Sequence, residues 1–170
     1  MSGATLRGGR RAVKLGYRAR MRSRKPMTRA TIDSVAPFFI AGDVDRSLAF
    51  YRDKLGFNVV FQETAPPHQT PFFAIVSRDG AMLFLKGSGA ALPNPKRYPW
   101  ARWDAYFLVH DPDTLAAEFE DRGVSFSESI KDTHDGLRGF ELADPDGHVL
   151  FFGRPVAIIS ATGEFLADGD

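Results

Sequence analysis

Two parts of the chain repeat each other about 67 residues apart, and this internal repeat constrains the fold more than any other feature. DKLGFNVVF at 53–61 aligns with EDRGVSFSE at 120–128, and SRDGAMLFL at 77–85 aligns with DPDGHVLFF at 144–152. Upstream, PFFIAGDVDRSLAF aligns with AYFLVHDPDTLAAEF at an offset of 68. The repeat predicts two small modules of the same fold in tandem.

Each module is predicted to begin with a strand and a helix. Ala36–Ala41 and Ala105–Val109 have the length and aromatic content of buried strands. An aspartate after each strand is a suitable helix cap, and a glycine about a dozen residues later is suited to end the helix. These residues are Asp43 or Asp45 with Gly56 in the first copy, and Asp111 or Asp113 with Gly123 in the second.

Three further strands are predicted to complete each module. They are 57–63, 72–76 and 81–86 in the first copy, and 124–127, 139–143 and 148–153 in the second. The last two strands of each copy are joined by a short turn, in which Gly80 or Gly147 is expected to supply a positive φ. Each copy is therefore predicted to be βαβββ, which gives an α+β fold.

The charge of the chain is divided unevenly. Residues 1–30 hold ten Lys and Arg and no acid, whereas the remaining 140 residues hold twelve Lys and Arg and all 21 acids. Such a basic segment is typical of disorder. It fits nucleic-acid contact, membrane-surface contact or a transit peptide, or translation that begins at Met21 or Met27 instead.

These observations predict five regions along the chain. They are a basic extension at 1–30, a first module at 31–92, a linker at 93–103, a second module at 104–155 and a tail at 156–170. The chain has no cysteine, which excludes disulfides, thiolate nucleophiles and cysteine metal sites. It has no motif for nucleophilic catalysis or phosphate binding either, and the DPDG sequence is predicted to be a turn and not a calcium loop.

The stretches DVDRSLAFYRDKLGF and FELADPDGHVLFF, set in the paired βαβββ repeat, resemble the vicinal oxygen chelate superfamily of glyoxalases, bleomycin-resistance proteins and dioxygenases. The resemblance covers residues 34–154. It implies two tandem modules that form a curled mixed sheet around a cleft. Metal-dependent members of that superfamily place His, Gln or Glu at four strand positions facing the cleft.

In this chain the resemblance assigns those four positions to Ala36, Phe84, Asp104 (or Trp103, one residue earlier) and Phe151. Alanine and phenylalanine offer no lone pair, and one aspartate does not hold a divalent ion tightly. We therefore expect no metal and no other cofactor.

VAPFFIAGDV at 35–44 and LRGFELADPDG at 137–147 make the chain most similar to the metal-free bleomycin-resistance type. That resemblance implies a homodimer with clefts between subunits, and sequestration of a cationic aromatic drug. The acid excess after residue 30 agrees in sign with a cationic ligand. The predicted ligand-binding residues are Phe38, Phe84, Trp103, Asp104, Tyr106, Arg138 and Phe151. Alternatively, Phe38, Phe84 and Phe151 only fill the interior of the fold, and the aromatic residues of YPWARWDAY at 98–106 only pack the two modules together.

Other functions stay open at this stage. A lyase, isomerase or dioxygenase would need an unusual metal set, such as Asp104 with His68 or His134. A nucleic-acid partner acting through the basic extension ranks last. His148 follows a turn glycine and is expected to be exposed. We expect a cytoplasmic, non-membrane protein that binds a small molecule, and whether it also catalyses a reaction, as a glyoxalase-like lyase or dioxygenase would, stays open.

Overall fold

The computed structural model describes residues 34–64, 70–94, 98, 101–156, 158–159 and 165–166. The chain from Ser34 onward forms one compact unit. The predicted basic extension at 1–30 and His68 lie outside the described residues. Among the residues described, no helix is both long enough and apolar enough to cross a membrane.

The first module folds as a helix and a four-stranded sheet. Its elements are β1 (Phe38–Ala41), α1 (Val44–Ala49), a π-helical turn (Phe50–Lys54), β2 (Asn58–Thr64), β3 (Pro71–Arg78) and β4 (Ala81–Gly87). The strands lie in the order β1-β4-β3-β2, in which β1 and β4 are parallel and the other pairs antiparallel.

The second module repeats this arrangement. Its elements are β5 (Ala105–Leu108), α2 (Pro112–Asp121), β6 (Glu128–Asp132), β7 (Leu137–Ala143) and β8 (Val149–Pro155). The strand order is β5-β8-β7-β6, with β5 parallel to β8. Two short antiparallel strands, β9 (Ile158–Ile159) and β10 (Phe165–Leu166), follow. The predicted α+β fold of two tandem βαβββ modules is confirmed, while the module boundaries at 92 and 104 stay predictions.

The helix ends agree with the sequence. Asp43 accepts a hydrogen bond from the Arg46 amide at 3.2 Å, and Asp111 accepts one from the Thr114 amide at 3.0 Å. Gly56 and Gly123 have φ values of 69° and 70°. Of the alternatives at each helix start, the earlier aspartate is therefore the cap.

Two local expectations are wrong. In the first turn the positive φ belongs to Asp79, at 50°, and not to Gly80, while Gly147 takes the expected conformation. The strand predicted at 124–127 begins only at Glu128, because the Val124 amide still bonds to the Phe119 carbonyl and closes α2.

The helix-covered faces of both sheets share one hydrophobic core. Its largest fully buried side chains include Tyr51, Leu83, Phe119, Phe140 and Leu150. Because successive side chains on a strand point to opposite faces, each sheet also has a face directed away from this core. We call these the first open face, on the β1–β4 sheet, and the second open face, on the β5–β8 sheet.

Candidate functional site

The first open face carries a cluster of phenylalanines. Phe38 and Phe84 are paired in register across β1 and β4, with their ring centroids 6.1 Å apart. Phe73 on β3 lies 6.0 Å from Phe84 and 6.1 Å from Phe61 on β2. Phe38 is 55% exposed and Phe61 46%. The structure therefore brings the predicted site residues Phe38 and Phe84 together. It adds Phe61 and Phe73, whose place on the same face could have been predicted from the alternation of side chains along β2 and β3.

The second open face carries a stack of three rings. Trp103 lies over Phe151 with centroids 4.0 Å apart and planes at 23°, and Tyr106 lies 5.3 Å from Phe151. Below, Phe151 rests on Gly139 and Gly153, where an added Cβ would come within 2.6 Å of its ring atoms. Phe151 is only 3% exposed. A ligand on this face would therefore meet Trp103, while Phe151 supports the indole from beneath.

Glu141 fixes the position of Trp103. Its carboxylate, which is almost fully buried, accepts hydrogen bonds from the Trp103 Nε1 at 3.0 Å, the Arg102 Nε at 2.7 Å and the Ser127 hydroxyl at 2.6 Å. Arg102 also bonds to Glu128 at 3.1 Å. These hydrogen bonds, the one to Glu128 above all, raise the pKa of Arg102, so the guanidinium stays charged. Glu141 is therefore occupied in holding the indole.

A cavity of about 470 Å³, which we call the face cavity, adjoins these residues. It is lined by Trp103 and Phe151 and by the polar residues Glu128, His134 and Asp135, among others. Tyr106, which stacks near Phe151 but lines the larger cavity and not this one, is 41% exposed, and its hydroxyl donates to the Gly153 carbonyl at 3.2 Å. Burial, and to a smaller extent the charge of Asp135, raises the pKa of Tyr106. The tyrosine is thus a neutral hydroxyl at physiological pH.

Two predicted site residues lie elsewhere. Arg138 and Glu141 lie on opposite faces of β7, because side chains alternate along a strand. Arg138 forms ion pairs with Asp113 on α2 at 2.7 Å and with Asp132 at 2.8 Å. The structure does not bring it to the face cavity. Asp104 accepts a hydrogen bond from the Val149 amide at 2.7 Å, which extends the pairing of β5 with β8. It lines a different and larger cavity.

The side chains at the four family metal positions do not fit a metal ion. Ala36, Phe84 and Phe151 have no donor atom, and the two phenylalanines pack against other rings. Asp104 and His134 line separate cavities, so the structure does not assemble that alternative pair. In the described part of the chain, no group of three His, Asp or Glu side chains is placed to hold a metal.

A buried polar junction between the modules was missed by the sequence analysis. The turn between β7 and β8 packs beneath α1, where Asp146 accepts from the Gly42 amide at 2.9 Å and the Ser47 hydroxyl at 2.5 Å. Asp144 accepts from the Tyr51 hydroxyl at 3.0 Å. His148 is 3% exposed and stacks on Phe39 at 4.3 Å, so the expectation that it is exposed is wrong.

The junction changes the acid–base behaviour of its members. Burial raises the pKa of Tyr51, and Asp144 raises it further. Burial alone would lower the pKa of His148, but the hydrogen bond to Asp144 at 2.9 Å and the neighbouring carboxylates outweigh it and raise that pKa. The charged imidazolium is therefore the form that the junction stabilises.

Two tandem βαβββ modules, each with an aromatic open face on its sheet, define a paired-module α+β fold. The chain belongs to the Glyoxalase/Bleomycin resistance protein/Dioxygenase superfamily, whose sequence profile matches residues 31–152. The resemblance seen in the sequence is thereby confirmed. None of the curated protein sequences matches the chain.

Several solved structures share this fold. A bleomycin resistance determinant encoded on the transposon Tn5 has a TM-score of 0.59 and 21% identity, covering 73% of this chain and 98% of its own. The bleomycin-binding protein of Streptomyces verticillus, complexed with copper(II)-bleomycin, has a TM-score of 0.56 and 24% identity, covering 74% and 98%. TnmS3, an antibiotic-binding protein from Streptomyces sp. CB03234, has a TM-score of 0.51 and 21% identity, covering 72% and 96%. At these identities the likeness concerns the fold.

Proposed function

We propose that the protein binds and sequesters a small antibiotic-like molecule with a cationic and an aromatic part, without using a metal. The observation that carries the proposal is the ring stack of the second open face, in which Trp103 is held over Phe151 by Glu141. Phe151 occupies a position at which metal-dependent relatives have a side chain that binds the metal. The fold neighbours that bind bleomycin or another antibiotic support the same activity.

The chemistry of the faces suits such a ligand. Planar groups stack favourably on indole and phenyl rings, and a fixed indole loses little conformational freedom on binding. The carboxylates of Glu128, Asp132 and Asp135 line the face cavity, and so do the positively charged side chains of Arg102 and Lys131. The acid excess after residue 30 attracts cations over a longer range.

We further propose that the working unit is a homodimer in which the first open face of one chain covers the second open face of its partner. Phe38, Phe61 and Met82 on the first open face are all more than a third exposed. Large exposed apolar patches mark interaction sites, and a second copy offers the complementary aromatic surface. The ligand would then lie between subunits. We place this activity in the cytoplasm, which the lack of cysteine permits.

Metal-free bleomycin is the probe that tests this function. We expect it to bind the full chain and to quench the fluorescence of Trp103 in a Trp100→Phe background, where Trp103 is the only tryptophan left. Trp103→Ala should weaken binding by about tenfold or more, because the central stacking surface is lost. A chelator should change nothing.

Tyr98→Ala is the matched control, since Tyr98 is an exposed aromatic residue that lines neither cavity. It should bind bleomycin as the unaltered chain does. Equal losses in the two variants would refute the site, and a requirement for a divalent ion would refute the metal-free mechanism. If bleomycin does not bind at all, a screen of other cationic aromatic antibiotics decides whether sequestration itself is wrong.

A further inference from the structure

The larger cavity, of about 940 Å³, lies between the two modules, and we call it the junction cavity. Phe57, Phe107, Phe119 and Phe152 of the core side line it, and so do Met82, Tyr106 and Leu108, which are 37%, 41% and 76% exposed. Of the residues that the structure describes, none lines both this cavity and the face cavity. Its volume falls within the roughly 300–1,000 Å³ typical of small-molecule sites.

The internal repeat explains why this space is open. The sequence offsets make Phe107 the counterpart of Phe39, and Ala81 the counterpart of His148. At the buried polar junction, His148 fills the space against Phe39 with a ring stacked at 4.3 Å. Ala81 offers only a methyl group at the matching place. The second copy of this interface is therefore left unfilled.

At other corresponding positions of the repeat, too, the residue at the buried polar junction makes a polar contact between the modules that its counterpart at the junction cavity does not make. Asp146 has a side chain that is 1% exposed and bonds to the first module, whereas the side chain of its counterpart Asp79 is 90% exposed. Tyr51, which bonds to Asp144, has Phe119 as its counterpart, and Ser47 has Leu115. Buried carboxylates close one side of the molecule, while on the other side the Arg78–Glu118 pair joins the modules beside apolar walls and open space.

The mouth of the junction cavity is acidic. Asp79, Asp104, Asp111 and Glu118 line it, and among the described residues of its lining Arg78 is the only Lys or Arg. Arg78 bonds to the Glu118 carboxylate and the Leu55 carbonyl, both at 2.6 Å, and lies 3.7 Å from the Asp79 carboxylate, while Glu118 also pairs with Arg122 at 2.9 Å. The hydrogen bond from the Thr114 amide lowers the pKa of Asp111, and the hydrogen bond from Arg78 lowers that of Glu118. Both carboxylates are therefore charged at neutral pH.

We propose that the junction cavity is a second ligand site, for a small cationic amphiphile. An aromatic or branched aliphatic group would occupy the phenylalanine-lined interior, and a protonated amine would lie among the carboxylates at the mouth. Apolar walls with a few convergent charges are the usual composition of such sites. The site shares Tyr106 and Met82 with the open faces, but neither Trp103 nor Phe151 lines it.

The probes are 1-naphthylmethylamine and 1-naphthylacetate, which share a ring system and carry opposite charges. Calorimetry on the full chain should show one amine bound per chain, and the carboxylate should bind at least tenfold more weakly. Ala81→Phe puts a ring where His148 stands in the other copy, and should weaken amine binding at least tenfold. Trp103→Ala should leave amine binding unchanged.

Asp79→Asn is a second variant that avoids any packing change, because asparagine tolerates the positive φ of this residue. It should weaken the amine severalfold at low salt and much less at high salt. Unchanged affinity in both Ala81→Phe and Asp79→Asn would overturn the proposal. So would loss of binding in Trp103→Ala, equal binding of the two probes, or one amine per two chains.

Different results would refute the amine site in the junction cavity and the bleomycin site on the open faces. Ala81→Phe should retain the bleomycin affinity of the unaltered chain, because Ala81 lies on the core side of β4 and away from Trp103. Loss of bleomycin binding in Ala81→Phe would show that one ligand uses both cavities, and would overturn the independence of the second site.

Discussion

At the scale of single residues, the two glycines beneath Phe151 determine what the second open face can present. Gly139 and Gly153 face each other across β7 and β8, and their backbones approach the ring more closely than any Cβ would allow. Phe151 therefore lies flat on the sheet, and Trp103 stacks above it. A larger residue at either glycine would lift the phenyl ring and separate the indole from Glu141.

Gly139→Ala should lower the free energy of unfolding by about 1–3 kcal/mol, as expected when atoms are forced into a packed region. Its new Cβ would lie 2.4 Å from the Phe152 carbonyl oxygen and 2.6 Å from the Phe151 ring. Urea denaturation measures the change. Gly80→Ala is the control, because no atom lies within 4 Å of a Cβ there, and it should stay within about 0.5 kcal/mol. Equal stability of both variants would contradict this account of the ring's support.

At the scale of the elements, the repeat and the local patterns predicted both βαβββ modules, because strand length, caps and helix-ending glycines are local properties. The predicted ligand-binding residues included Phe38 with Phe84 and Tyr106 with Phe151, and each of these pairs does share a face of its sheet, because side chains alternate along a strand. It missed the burial of His148 and the separate position of Asp104, since both depend on contacts between distant parts of the chain.

The two turns between the last strands illustrate that limit. Arg78-Asp79-Gly80 and Asp144-Pro145-Asp146-Gly147 both read as hairpin turns in the sequence. Only the second is buried, because its aspartates bond to Gly42, Ser47 and Tyr51 about a hundred residues earlier in the chain, and His148 stacks on Phe39. A single turn sequence does not specify the surface that covers it.

The buried junction predicts a dependence of stability on pH. The pKa of His148 is higher in the folded chain than its ordinary value of 6.5. The stabilisation from its proton is therefore complete below pH 6.5, and is lost as the pH rises through the raised folded value. Asp144, Asp146 and Asp104 favour the proton, and Tyr51 stays neutral because its own pKa is raised.

Urea denaturation at a series of pH values from 6 upward should thus show the free energy of unfolding falling for the unaltered chain. His148→Gln, which cannot take up the proton, should be less stable at pH 6 and should show a flatter profile. NMR titration of the His148 ring gives its pKa directly. A pKa at or below 6.5, or identical pH profiles for the two proteins, would contradict the assignment.

At the scale of the whole molecule, a single chain leaves both open faces without a covering layer among the described residues, although its core is continuous across the modules. Sheets expose one face to water when that face is polar. The first open face has Phe38, Phe61, Phe73 and Phe84 instead. A dimer that joins unlike faces would bury this surface twice, once for each chain.

We expect sedimentation to give twice the chain mass of 18.8 kDa, and Phe38→Lys to weaken the dimer by at least tenfold. The lysine would place a charge at the centre of an apolar contact, where its desolvation is costly. Leu92→Lys is the control, because Leu92 is 65% exposed and lies outside the strands. Bleomycin affinity should fall with dimer dissociation in Phe38→Lys, because each proposed site needs a face from both chains. A Phe38→Lys monomer that binds bleomycin normally would show that one chain holds the complete site.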